Sequence, residues 1–157
     1  MIREIFARLG QRTQAPRRPK KIDAKPASIF LEKMTRDALI DEPVVVVAAH
    51  PDDETIGMGG RLSKFANLKL IHVTDGAPQD LVRAKQLGFS TPTEYSNTRF
   101  RELQNALSIL GVTPISHRCY RYKDGDVSSL LLDLVDLLES ELETASAVLS
   151  HAYEGGH

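Results

Sequence analysis

The chain has 157 residues, 41% hydrophobic and 26% charged, with a formal net charge of −1. That length holds one domain with a real core and leaves two cramped, while the near-zero charge gives no reason to expect nucleic acid as a bulk partner. The single cysteine, Cys119, excludes an intrachain disulfide and a Cys-based zinc cluster, and no run reaches the ~18–20 apolar residues of a membrane span.

Lone-cysteine usage fits a reducing, cytoplasmic setting. The N-terminus is basic but lacks the long apolar stretch of a secretory signal. Residues 1–26 differ from the rest. Eight basic residues between Arg3 and Lys25 face only Glu4 and Asp23, and Pro16, Pro19 and Pro26 interrupt the stretch. This reads as a solvated, flexible arm or as one that touches an acidic partner or a membrane surface. Residues 27–157 read as a single α/β domain.

Residues 27–41 predict a helix with Ser28 as N-cap. Val44-Val45-Val46-Val47-Ala48-Ala49 is β-branched and continuously apolar, which predicts a strand buried on both faces. Thr55 to Ala66 predicts a helix with Ile56, Leu62 and Phe65 facing inward. Its glycines, Gly57, Gly59 and Gly60, weaken it and suggest a close backbone approach. Residues 68–74 predict a second strand, ended by Asp75-Gly76, and residues 77–93 an irregular segment. Glu94 to Leu110 predicts a long helix with a stripe of Phe100, Leu103, Leu107 and Leu110 and a stop at Gly111. A strand over 115–122, a helix from Ser128 or Ser129 to about Glu143, and a strand over 147–150 complete the series. Strand–helix alternation predicts a Rossmann-like α/β fold, a mostly parallel sheet flanked by helices.

In such sheets, sites form beyond the carboxyl ends of the strands. His50, Asp52 and Asp53 fall there, directly after the first strand. An imidazole and a carboxylate three positions apart on a tight turn can bind one metal ion from the same side, and Pro51 stiffens the turn. A second, non-ligating carboxylate can act as general base toward water. Zinc suits a His plus carboxylate site. The competing reading is a helix N-terminus with acids set favourably against the dipole. The buried strand just before the run, and further polar clusters at other strand ends, favour the site. Glu54 reads as an outer-shell or helix-start acid rather than a ligand. His72 and His117 read as structural strand residues, and Cys119 as a small core residue with no paired base.

The run Ala49-His50-Pro51-Asp52-Asp53-Glu54 followed by Gly57-Met58-Gly59-Gly60 resembles the signature of the PIG-L family, the LmbE-like N-deacetylases. The resemblance covers residues 43–157. It recurs in Val73-Thr74-Asp75-Gly76, in Arg99-Phe100-Arg101-Glu102, in Lys123-Asp124-Gly125 and in the segment from His151 to His157. It implies a zinc hydrolase that removes acetyl from an N-acetylglucosamine-like amino sugar or its conjugate. His50 and Asp53 would be metal ligands and Asp52 the general base. His157 would stabilise the oxyanion or assist the leaving amine, and Arg99 and Asp124 would contact substrate hydroxyl or phosphate groups. The family's third protein ligand is expected just beyond His157, so the C-terminal part of the fold is expected to be missing, with His151 or His157 as substitutes of lower rank. The alternatives are a binding module that keeps the fold without turnover, and an interaction protein working through its basic arm. A small-molecule amino sugar is the expected partner; an oligomer is possible.

Overall fold

The computed structural model of the protein describes residues 24–78 and 82–152. The basic stretch 1–26 therefore lies outside the described residues, except for its last three. These open helix α1 (Ala24–Thr35), which begins before Ser28 and stops short of residue 41. The chain divides after Glu32, and the sheet and its flanking helices belong to the second unit, Lys33–His157.

The elements are β1 (Val44–Ala48), α2 (Asp53–Leu62), β2 (Leu68–Thr74), α3 (Val82–Gln86), α4 (Pro92–Ile109), β3 (Ser116–Tyr122), a 3-10 turn (Val127–Leu130), α5 (Leu131–Leu142) and β4 (Ala147–Leu149). The four strands form one sheet in the order β3-β2-β1-β4, and every pairing is parallel. Parallel neighbours need a crossover, and a helix or turn-and-helix segment supplies each one. Every strand therefore ends at the same edge of the sheet.

The register assigns the two faces. Val44, Val46 and Ala48 align with Leu68, Leu70 and His72, and these with His117 and Cys119 on β3. Helices α2 and α4 cover this face: Glu54 reaches His72, and Phe100 stacks on His117. On the opposite face, Glu141 of α5 accepts from Lys69 and pairs with Arg118. Burial on both sides explains the continuous apolar run in β1, where Val44, Val45, Val46 and Ala48 are buried.

Several boundaries differ from the sequence expectation. Helix α4 starts two residues before Glu94, because Thr91 caps it: its side chain accepts from the Glu94 N–H at 3.1 Å, with Pro92 at the first position. The Glu94 carboxylate in turn accepts from Ser90 N–H. Gly111 follows α4 at φ +66°, the left-handed conformation in which glycine ends helices. The segment expected to be irregular contains α3, tied down by a small cluster of Ala77, Ala84 and Tyr95 with Phe89. Helix α2 ends at Leu62, and its middle is kinked, with Met58 at φ −149°. Ile56 faces outward at 79% exposure, against the inward face expected for it, because Glu54, two residues earlier and so nearly opposite on the helix, takes the buried side. The glycines there do not serve a close approach: a Cβ on Gly57 or Gly60 would meet nothing within 4 Å, and one on Gly59 only ordinary contacts.

These burial differences predict unequal mutational costs. Leu70→Ala, at a fully buried position of β2, is expected to lower unfolding free energy by about 2–5 kcal/mol. Ile56→Ala is expected to change it by less than about 0.5 kcal/mol. Urea unfolding of the two variants checks this; comparable losses would contradict an outward Ile56.

Candidate functional site

The carboxyl ends of β1 and β2 are pinned together before the chain leaves the sheet. Thr74 donates twice to the Ala49 carbonyl, from its backbone N–H and from its hydroxyl, both at 2.9 Å. Gly76, at φ +67°, then turns the β2 exit past His50 and Pro51, where an added Cβ would sit 3.5 Å from the proline ring. The loop after β1 is thus held from beside as it enters α2. Asp52 adopts φ +148°, a conformation that L residues rarely take, that costs of order 1–3 kcal/mol and that persists only where its surroundings enforce it.

His50 and Asp53 come together at this turn. Asp53 Oδ2 accepts the His50 backbone N–H at 2.7 Å and lies 3.6 Å from His50 Nδ1. On the other side of the ring, His50 Nε2 is 3.1 Å from Asp124 Oδ1, delivered by the loop after β3. A hydrogen on Nε2 donated to Asp124 makes Nδ1 the lone-pair nitrogen on the Asp53 side. A carboxylate behind an imidazole in this way is a common means of orienting a metal-binding histidine. His151, just after β4, joins them: its Nε2 accepts the Ala49 N–H at 2.9 Å and lies 3.3 Å from Asp53 Oδ2.

Two donors on one tetrahedral zinc stand about 3.4 Å apart, from Zn–N and Zn–O lengths near 2.1 Å. The His50–Asp53 separation matches that edge, so this pair's chemistry and spacing fit a zinc ion, whereas the Nε2 lone pair of His151 is already engaged by the Ala49 N–H. Among the described residues, no group of three or more His, Cys, Asp or Glu side chains is gathered around one such point. His157 lies outside the described residues.

Asp52 points elsewhere. Its Oδ2 pairs with Arg99 Nη2 of α4 at 2.5 Å, and the same nitrogen donates to the Pro51 carbonyl at 3.0 Å. Arg99 therefore grips the loop and the carboxylate together. Of the side chains expected at a substrate contact, Arg99 meets Asp52 and Asp124 meets His50. Beside them opens a cleft of about 710 Å³ whose lining includes His50, Asp124, His151 and Ser150, with Val73, Leu131 and Leu134 as apolar wall.

Beneath the loop is a group that the sequence did not reveal. Glu54, 1% exposed, places Oε2 2.8 Å from Nε2 of His72, which is wholly buried. His72 Nδ1 in turn lies 2.8 Å from His117 Nε2. Burial, the largest single influence, pushes the Glu54 carboxyl upward, but hydrogen bonds from His72 and Thr55 and the attraction of His72 together hold it below the usual carboxylate value. His117 is pushed below the usual histidine value, first by burial and then by repulsion from His72. An ionised Glu54 only accepts hydrogen bonds, so Nε2 of His72 carries the hydrogen. The i, i+2 register of His72 with Leu70, the residue aligned with His117, was the available signal; it becomes informative only once β2 and β3 are known to be neighbours. Cys119, by contrast, is a strand residue whose thiol donates to the Thr74 carbonyl and is shifted upward by burial.

Comparison with known proteins gives concordant results. The chain is 34% identical over 89 residues to 1D-myo-inositol 2-acetamido-2-deoxy-alpha-D-glucopyranoside deacetylase 2 from Catenulispora acidiphila, a match covering 52% of this chain and 29% of that protein. The N,N'-diacetylchitobiose deacetylase from Pyrococcus horikoshii shares the fold at a TM-score of 0.50 and 21% identity, over 82% of this chain and 49% of that one. The 4-carboxy-2-hydroxymuconate hydratase from Pseudomonas putida shares it at a TM-score of 0.55 and 20% identity, over 74% of this chain and 49% of that one. The chain thus spans about half the length of these structures and under a third of the curated relative. The family model described as PIG-L, GlcNAc-PI de-N-acetylase, matches residues 45–157, which include every site residue above, and the chain belongs to that family.

Proposed function

We propose that the chain carries the ligand and base segment of a zinc-dependent N-deacetylase acting on an N-acetylglucosamine-like amino sugar or its conjugate. The observation that carries the reading is the turn after β1. It presents an imidazole and a carboxylate at the spacing of a tetrahedral edge, with a second carboxylate beside them engaged by an arginine rather than by the pair. The substrate class rests on family membership and on the Catenulispora relative, whose name specifies a 2-acetamido-2-deoxyglucopyranoside. No described helix is long and apolar enough to cross a membrane; a cytoplasmic setting is part of the proposal.

His50 and Asp53 would hold the zinc ion, with Asp124 fixing the His50 ring and His151 alongside. When bound, the ion supplies Lewis acidity toward water and the amide carbonyl. Asp52 removes a proton from water as the water oxygen adds to the amide carbon, and Arg99 holds that carboxylate in place beside the cleft. The carbon–nitrogen bond then breaks, the amine takes up a proton, and acetate and the free amino sugar leave. His157 would support the developing oxyanion or the leaving amine. The apolar wall of Val73, Leu131 and Leu134 suits the face of a sugar ring or the acetyl methyl.

Three outcomes are expected. Zinc titrated into the chain by calorimetry binds, and His50→Ala or Asp53→Asn weakens that binding at least ten-fold; unchanged affinity in both variants contradicts the ligand assignment. Asp52→Asn leaves zinc affinity within about three-fold yet lowers acetate release from N-acetylglucosamine-type substrates about 10²–10⁴-fold. Full activity in that variant removes Asp52 from the base role. Arg99→Ala, which removes the nitrogen that holds both the Pro51 carbonyl and Asp52, lowers kcat about ten-fold.

A further inference from the structure

The reacting loop is gripped from two sides. Arg99 holds it from the solvent side, and a buried hydrogen-bonded chain holds it from beneath. The second grip starts in the sheet. His72 and His117 occupy the same face of neighbouring strands, with His72 aligned to Cys119 and His117 aligned to Leu70, so their rings meet diagonally. They stand edge-on to each other at 5.0 Å and 89°, and Phe100 of α4 stacks on His117 at 5.4 Å and 10°. Between α4 and its strand neighbours, His117 has little freedom to turn. It fixes His72 through Nδ1, and His72 fixes Glu54 through Nε2.

Glu54 spends its oxygens on the turn. Oε1 accepts from the Thr55 hydroxyl at 2.5 Å, and Oε2, besides meeting His72, lies 3.3 Å from the Asp52 backbone N–H. That N–H belongs to the residue at φ +148°. A strained conformation persists only when its neighbours over-determine it. The carboxylate beneath supplies one such constraint, and it is itself held by His72 as well as by the Thr55 hydroxyl.

We propose that His72 and His117 are positioning residues for the reacting loop: through Glu54 they hold the Asp52 backbone in the conformation that presents its carboxylate to the site. The proposal rests on the reading of Asp52 as general base for its consequence in catalysis, but the positional link itself does not. Neither histidine lines the cleft. Substituting them changes how Asp52 is held and leaves the His50–Asp53 pair in place.

The test uses nuclear magnetic resonance on the full chain alongside kinetics. The His72 Nε2–H proton is expected as a slowly exchanging downfield resonance. In His72→Leu the Asp52 amide proton is expected to exchange at least ten-fold faster, and kcat to fall at least ten-fold with KM within about two-fold. His72→Gln places an amide donor near the Nε2 position and is expected to recover most of both effects, which general loosening of the core would not produce. A folded His72→Leu protein whose Asp52 amide exchanges within two-fold of the parent overturns the proposal. Should that variant not fold, His117→Leu at the half-buried end of the hydrogen-bonded series serves instead. It is expected to shift the His72 ring-proton resonance and raise Asp52 amide exchange three-fold or more, and no change in either is equally fatal. If Asp52→Asn is fully active while the amide still responds to His72, the base assignment fails and the positioning role stands. If Asp52→Asn is inactive and the amide does not respond, the reverse holds.

Discussion

A carboxylate with 1% exposure sets the terms for everything around it. Burying an ionised Glu54 is costly unless donors meet it, and removing one partner of such a buried pair costs about 3–5 kcal/mol. The donors come from three places: a hydroxyl one residue on, an imidazole from the neighbouring strand, and a backbone N–H two residues back. The first turn of α2 is therefore anchored into the sheet rather than merely laid on it. Because Asp52 and Asp53 flank that anchor, their positions inherit its rigidity. A loop that has to present two carboxylates in different directions gains from a third that points inward.

The parallel sheet does the remaining placement. With all four strands running the same way, the loops carrying His50, Asp75, Asp124 and His151 leave from one edge. His50 and His151, from opposite ends of the sequence of strands, thereby reach the same carboxylate neighbourhood, since β1 pairs directly with β4. The double bond from Thr74 to the Ala49 carbonyl fixes where β1 stops. The ladder, the threonine clamp and the buried glutamate act in series, each restricting what the previous one leaves loose.

Much of this was legible in the sequence because it depends on local chemistry. A β-branched run such as 44–48 has few alternatives to a buried parallel strand, and a polar run directly after it has to lie at the strand's carboxyl end. Asp53 and His50 lie three residues apart on one turn, so their meeting follows from the backbone alone. Other features depend on which elements become neighbours. The outward turn of Ile56, the kink at Met58 and the 3-10 turn before α5 are settled by tertiary fit, whereas the Thr91 cap with Pro92 is a local signal. The pairing of Arg99 with Asp52 and of Asp124 with His50 needs the α4 and β3 ends in place. His72 and His117 were the hardest to read. A lone histidine in a strand carries no pattern, and its partner lies 45 residues on, across a register that only the assembled sheet defines.

Sharing this fold leaves the chemistry open. A deacetylase and a hydratase both align with the chain at about 20% identity, so the sheet and its helices are compatible with unlike reactions. Family membership narrows the choice, and the strand-end loops show how the acids are assigned. Three consecutive carboxylates could repel one another and collapse into a disordered cluster; here each has its own partner. Asp52 takes an arginine, Asp53 takes the His50 N–H, and Glu54 takes a buried histidine. The partners differ in charge, burial and direction, so the three acids are chemically distinct despite being adjacent. A run of identical charges becomes a candidate site when the fold makes its members unequal, and the amide hydrolysis proposed for it rests on family membership.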